Sequence, residues 1–83
     1  MSLERLAAWR ARAEAETDDL SGRTPALLIA ALSARPMLGA VEAEAETGAS
    51  RAAVQRNLDT LQSRGLVREV TGRGRFRVWA AKL

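Results

Sequence analysis

The sequence predicts a mainly α-helical domain that ends in a small β-hairpin. Apolar residues recur at helical spacing in the segments before Gly65, whereas the apolar runs after it are short and alternate with charged residues. Apolar residues make up 47% of the chain, but only one Phe and two Trp supply large rings and much of the rest is Ala. This composition favours closely packed helices. The 83 residues are enough for one small domain.

Residues 2–17 predict an amphipathic helix with Ser2 as its N-cap. Its apolar face consists of Leu6, Trp9 and Ala13, with Leu3 nearby. Because this face is narrow, the helix has to pack on the main core or on a second copy of the chain. We therefore predict that residues 1–20 form an N-terminal packing or dimerisation helix, with a possible homodimer through it, and that residues 21–83 form the main domain.

The second helix is predicted to begin with Thr24 as its N-cap and Pro25 at its first position, where a missing backbone N–H is tolerated. Pro36 ends it, because the residue before a proline is disfavoured in α geometry. Its inward face is predicted to hold Leu27, Leu28, Ala31 and Leu32. A short extended link over residues 37–39 then leads to the third helix.

The third helix is predicted over residues 40–46, with Val41 and Ala45 facing inward and Leu38 packed beside them. Its charged residues are Glu42, Glu44 and Glu46. Gly48 allows a tight turn after it, because glycine adopts a positive φ without strain.

The fourth helix is predicted over residues 51–64, with Ser50 as its N-cap and Gly65 just past its C-terminus. Its core stripe is Val54, Leu58 and Leu61. A short helix, a turn that contains glycine and a longer helix are typical of a helix-turn-helix motif.

Short strands are predicted over residues 66–70 and 76–80, joined by a turn over residues 71–75. The core-facing side of the second strand is predicted to hold Phe76, Val78 and Ala80. The other side is predicted to hold Arg75, Arg77 and Trp79. A hairpin directly after a helix-turn-helix motif is a wing, so the fold class is a winged helix-turn-helix with an extra N-terminal helix. The predicted core consists of Leu28, Leu32, Val41, Val54, Leu58, Leu61, Leu66 and Val78.

Positive charge is concentrated in the C-terminal half. Residues 48–83 carry seven Arg and one Lys against Asp59 and Glu69, whereas residues 36–47 carry three Glu and no cation. A basic segment rich in Arg predicts a polyanionic partner, because guanidinium groups bind phosphate and guanine through paired hydrogen bonds.

The chain contains no Cys and no His. This excludes disulfides and thiolate chemistry, and it removes the usual zinc ligands and the commonest general base. We therefore predict no metal site, no cofactor and no enzymatic activity. The longest apolar run, Pro25 to Leu32, is too short to cross a bilayer and no signal peptide is apparent, so a cytoplasmic protein without membrane contact is expected.

In a helix-turn-helix motif the second helix lies in the major groove of double-stranded DNA and presents its N-terminal residues to the bases. Outside its core stripe, the predicted DNA-binding residues of the fourth helix are Ser50, Arg51, Ala52, Gln55 and Arg56. Arg can bind guanine, Gln can bind adenine, Ala can contact a thymine methyl group and Ser can bind phosphate. Ordinary solvated helix positions are the alternative interpretation.

The wing is predicted as a second contact with DNA. Its predicted DNA-binding residues are Arg73, Gly74 and Arg75 near the tip and Arg68 and Arg77 on the strands. Glycine lets the backbone approach a sugar-phosphate edge, and Arg at a wing tip can enter a narrow minor groove. The alternative interpretation is that these glycines and arginines form only a soluble tight turn and do not bind DNA.

The glutamates of the third helix argue against DNA, since carboxylates there repel phosphates unless they turn away or pair with Arg51 across the turn. The alternative function is therefore a winged-helix module for protein contact or dimerisation, with the first helix as its interface.

The stretch ETGASRAAVQRNLDTLQSRGLVREVTGRGRFRVW resembles the winged helix-turn-helix domains of bacterial regulators in its Ser-started helix, its helix exit and its wing. It is more closely similar to the C-terminal winged helix of Fic-type and related uncharacterised proteobacterial proteins. This resemblance covers about residues 24–81 and implies a DNA-binding or regulatory module, often one part of a longer protein, here with parent domains N-terminal to the chain. It implies DNA-contacting roles for Arg51, Gln55 and Arg56 in the helix and for Arg73 and Arg75 in the wing. No Fic catalytic motif is present.

Overall fold

The computed structural model describes residues 3–35, 37–70 and 77–83. Within these residues the helices α1 to α4 span Leu3–Glu16, Thr24–Ala34, Ala40–Thr47 and Arg51–Ser63. The strands β1 to β3 span Leu38–Gly39, Val67–Glu69 and Val78–Ala81 and form one antiparallel sheet in the order β1-β3-β2. The predicted fold class is confirmed, because α3 and α4 form the helix-turn-helix motif and β2 and β3 are the wing strands. The predicted features that lie outside the described residues are Ser2, Pro36, Arg73, Gly74, Arg75 and Phe76.

Helix α1 packs on α2 within the same chain and buries Trp9 and Ala13. The indole Nε1 of Trp9 donates a 2.8 Å hydrogen bond to the carbonyl of Leu66, just before β2. In the structure, this helix therefore packs on the main core, which is one of its two predicted roles. Leu3 does not join this face and is 84% exposed. A homodimer through α1 stays a prediction, and Trp9 is not available to it.

Helix α2 begins one residue earlier than predicted. Thr24 is its first helical residue, and the capping position is taken by Arg23, whose side chain makes no capping hydrogen bond. The backbone of Arg23 is already in the α region, and its carbonyl accepts a 3.0 Å hydrogen bond from the N–H of Leu27, so the first helical turn extends back past Thr24. The fully buried residues of α2 are Leu28, Ile29 and Leu32.

The link predicted over residues 37–39 contains a strand. Leu38 pairs with Trp79 and Gly39 with Val78, which adds β1 to the sheet. Leu38 and Trp79 are both fully buried. The prediction that Trp79 lies away from the core is therefore wrong, and the predicted core residue Val78 is only half-buried. Ala80, which was also predicted to face the core, is buried, so both central residues of β3 are buried and the large indole fills the space against the helices.

The inward face of α3 also differs from the prediction. Val41 is 66% exposed and Ala45 is exposed, whereas Ala43 is fully buried. Since α3 starts directly after β1, the β1–β3 pairing sets its rotation, and a helix of eight residues has little hydrophobic periodicity of its own. The small side chain of Ala43 lets α3 pack closely on α2 and α4.

The core lies between the helices and one face of the sheet. The predicted core residues that are confirmed as buried are Leu28, Leu32, Val54, Leu58, Leu61 and Leu66. Among the described residues, no buried side-chain N or O atom lacks a hydrogen-bond partner. No helix in the described ranges is long and apolar enough to cross a membrane.

Candidate nucleic-acid interface

Local hydrogen bonds fix the turn between α3 and α4. Gly48 adopts a φ of 69° and donates a 2.8 Å hydrogen bond to the carbonyl of Glu44, which ends α3. Ser50 is extended, and its Oγ accepts a 3.1 Å hydrogen bond from the N–H of Ala53, which begins α4. Both features agree with the sequence-based predictions, so short-range chemistry alone sets the start of this helix.

The burial of one side of α4 defines its opposite, exposed face. Because Val54, Leu58 and Leu61 are buried, helical spacing puts Ala52, Arg56, Asp59 and Ser63 on the far side of the helix. Arg51 is exposed beside this face and Gln55 is half-buried beside it. The structure therefore brings the predicted DNA-binding residues of the helix together within its first two turns.

The predicted DNA-binding side chains of α4 differ in the number of contacts that restrain them within the chain. Arg56 is exposed and has no side-chain partner among the described residues. Nη2 of Arg51 lies 2.9 Å from Oε2 of Glu44, and Nε2 of Gln55 donates a 2.9 Å hydrogen bond to Oδ1 of Asp59. The side chain of Arg51 is 67% exposed, and exposed ion pairs are weak. Arg51 can therefore exchange its carboxylate for a phosphate or a guanine at little cost.

Each of the three glutamates of α3 has a partner within the chain. Oε1 of Glu42 accepts a 3.2 Å hydrogen bond from the N–H of Gly39 at the start of α3. Glu44 pairs with Arg51, as predicted, and Glu46 lies 3.0 Å from a guanidinium nitrogen of Arg35. The arginines offset the charges of Glu44 and Glu46 but not that of Glu42, so this cluster argues less strongly against DNA than it does in the sequence alone.

The two arginines of the wing strands lie on opposite faces of the sheet. Arg77 donates from Nε and Nη2 to Oε1 of Glu69, at 3.0 Å and 2.7 Å, and its guanidinium lies 5.0 Å from the ring centre of Trp79. The hydrogen bond to Glu69 raises the pKa of Arg77 above its usual range, so this side chain stays charged. Arg77 also lines a groove of about 270 Å³ together with Arg51, whereas Arg68 is exposed on the other face.

Residues 25–81 match a family described as the HTH DNA binding domain. The chain belongs to this family. The matched residues contain every described helix and strand except α1 and the first residue of α2. Comparison with curated proteins and with solved structures gave no match. Membership supports DNA as the partner of this HTH domain, whereas the closer similarity to Fic-type proteins stays a prediction.

Two acidic residues that the sequence analysis counted only as charges, Asp59 and Glu69, contact side chains of the interface of the HTH domain. Glu69 holds Arg77, and Asp59 holds Gln55. The spacing of Gln55 and Asp59 at i and i+4 on a helix is a signal that the sequence contained. The pairing of Glu69 with Arg77 depends on the register of β2 and β3, which places Glu69 opposite Trp79, and that register was not predicted.

Proposed function

We propose that this HTH domain binds double-stranded DNA with α4 in the major groove, as a bacterial transcriptional regulator or as the DNA-binding part of a larger bacterial protein in the cytoplasm. The observation that carries this proposal is the exposed start of α4. A helix capped by Ser50 presents Arg51, Ala52 and Arg56 on its first two turns, and Arg56 has no partner among the described residues. Family membership supports the same partner.

The DNA contacts that we propose for Arg56, Arg51 and Gln55 follow from the hydrogen bonds and ion pairs that each side chain makes, or does not make, within the chain. Arg56 is the principal base-reading residue, because it can form two hydrogen bonds with guanine without first breaking another contact. Arg51 leaves Glu44 to bind a phosphate or a second guanine. Gln55 has to give up Asp59 to reach an adenine, so it contributes less.

The wing supplies contacts to the DNA backbone. The sequence places Gly74 between Arg73 and Arg75, and from this pattern we assign both arginines to phosphate or the minor groove. Arg77 links the two wing strands through its hydrogen bonds to Glu69. Only those of its guanidinium N–H groups that do not donate to Glu69 can bind a phosphate. The glutamates of α3 motivated the alternative of a protein-contact module, and the ion pairs of Glu44 and Glu46 support DNA as the partner proposed here.

Selection of binding sites from a pool of random duplexes tests this proposal. We expect a defined preferred sequence for the unaltered chain. Arg56→Ala should weaken binding to that sequence by about 1–3 kcal/mol and relax the preference at one base pair, because a paired contact to a base is lost. Arg10→Ala is the matched control, since it removes one exposed arginine from α1. If Arg56→Ala and Arg10→Ala select the same sequence with equal affinity, α4 does not read the bases.

A further inference from the structure

The face of the sheet that points away from the helices carries an open groove of about 880 Å³. Leu38, Val67 and Trp79 point into the core, so strand alternation puts Arg68 and Ala80 on the opposite face. The groove is lined by Arg5, Met37, Arg68, Val70, Ala80, Ala81, Lys82 and Leu83. It therefore combines an apolar floor with basic side chains.

Part of the apolar lining of the groove is exposed. Met37 is 60% exposed and Leu83 is 41% exposed, whereas Val70 and Ala81 are half-buried and Ala80 is buried. Contiguous apolar surface with a polar rim is typical of a protein-contact site, and Met and Arg are enriched in such sites. The exposure of Met37 and Leu83 therefore leaves apolar surface beside the basic side chains of the groove.

The charge of the groove has one sign. No Asp or Glu side chain lines it, whereas Arg68 and Lys82 do, and neither of these two has a side-chain partner among the described residues. Elsewhere in the described chain, most arginines are paired with a carboxylate. A surface of one sign selects a partner of the opposite sign.

We propose that this face is a docking site for an acidic segment of a partner protein that also carries apolar side chains. Carboxylates of the segment would meet Arg68 and Lys82, and its apolar side chains would cover Met37 and Val70. Phosphate groups of DNA would leave this apolar floor uncovered. A second copy docked face to face would put cation against cation. Because α4 packs on the opposite side of the sheet, DNA and the acidic segment can be bound together.

A short fluorescent peptide of alternating Glu and Leu tests the proposal in a titration followed by fluorescence anisotropy. Two control peptides replace every Glu with Lys or every Leu with Ser. We expect saturable binding of the Glu-Leu peptide only. The double variant Arg68→Glu with Lys82→Glu should weaken it at least about tenfold, because attraction becomes repulsion at two positions. The matched control, Arg10→Glu with Arg23→Glu, makes the same change of charge away from the groove and should bind as the unaltered chain does.

Four results would overturn the proposal. The first is no saturable binding of the Glu-Leu peptide, and the second is an equal loss of binding in the matched control. A third is a loss of duplex binding in Lys82→Glu alone that exceeds the loss in Arg10→Glu, which would make the groove part of the DNA surface. The fourth is a dimer in sedimentation that the Arg68→Glu, Lys82→Glu variant dissociates, which would assign the groove to a second copy of the chain.

Discussion

At the scale of single residues, Ser50 has the clearest consequence for function. Its hydroxyl satisfies the N–H of Ala53, one of the four N–H groups that the first turn of a helix leaves without a helical partner. Because this cap sets the first residue of α4, it also sets which side chains stand in the first two turns. Arg51, Ala52 and Arg56 depend on it for their position.

Ser50→Ala should lower the free energy of unfolding by about 1 kcal/mol, because the N-cap hydrogen bond is lost, whereas Ser50→Gly should lower it by only a few tenths. Urea unfolding followed by circular dichroism measures this. Ser63→Ala is the control, since the hydroxyl of Ser63 only donates to the carbonyl of Thr60 near the end of the same helix. Equal effects of Ser50→Ala and Ser63→Ala would show that the cap does not stabilise α4.

Residue-scale prediction succeeded where the chemistry is local. Ser50 and Gly48 were assigned from neighbours in the sequence, and the structure confirms both. Trp79 and Val41 were assigned from hydrophobic alternation and periodicity, and both assignments are wrong. A four-residue strand and an eight-residue helix are too short for a pattern to define a phase, so packing of the indole against Leu38 decides the orientation of both.

At the scale of elements, an ion pair ties the end of α1 to the end of α4. Both carboxylate oxygens of Asp19 accept hydrogen bonds from Arg64, at 2.6 Å and 2.8 Å, and Arg64 also donates to the carbonyl of Glu16. The hydrogen bond from Arg64 lowers the pKa of Asp19 below its ordinary value of 3.8. No sequence pattern joins two residues this far apart, so the pair could not be predicted.

This pair makes stability depend on pH in one direction. Since the folded pKa of Asp19 is depressed, its contribution is fully present above the unfolded pKa and is lost as the pH falls through the folded pKa. Asp19→Asn should therefore lower the Tm slightly at about pH 6, and the difference should shrink as the pH falls below 3.8 and through the folded pKa of Asp19. Thermal unfolding across this range measures it, with Asp18→Asn as the control for removal of an adjacent carboxylate. A Tm difference that persists at the acid end would contradict this role of the pair.

The order of the elements was predicted almost completely, and their pairing was not. Helix boundaries follow from caps and stop residues, which are local, so α1 to α4 agree with the prediction to within one or two residues. Strand β1 was missed because two residues carry no alternation, and it exists only through its pairing with β3. The candidate site shows the same difference between local features and pairing. The positions on α4 were predicted, whereas the partners that restrain Arg51 and Arg77 emerge from the fold.

At the scale of the whole molecule, α1 is part of the same core as the HTH domain, although the family match begins at residue 25. Trp9 is 3% exposed and bonds to Leu66, so it joins the N-terminal helix to the start of the sheet. We expect the chain to unfold in one cooperative transition, because removal of α1 would expose the centre of the core.

Trp9→Ala should lower the free energy of unfolding by about 3–5 kcal/mol through cavity formation. If that variant does not fold, Trp9→Phe, which keeps most of the packing and loses the hydrogen bond to Leu66, should still lower it by about 1 kcal/mol. Leu3→Ala is the control, since Leu3 is exposed and should stay within about 0.5 kcal/mol of the unaltered chain. Urea unfolding gives these values. An unchanged midpoint in both Trp9 variants would mean that α1 is an independent appendage.

The salt dependence of binding to a duplex of random sequence tests the central claim most directly. Arg51, Arg56, Arg73 and Arg75 should each bring one positive charge to the duplex and release counterions as one phosphate contact does, which predicts a slope of about −3.6 for log K against log salt. Arg73→Ala should reduce the magnitude of the slope by about 0.9 and weaken binding to all sequences alike. Three results would contradict the proposal that this chain binds double-stranded DNA with α4 and the wing. They are a slope near zero, the absence of duplex binding at low salt, and a slope that is unchanged when Arg51 and Arg56 are replaced by Ala.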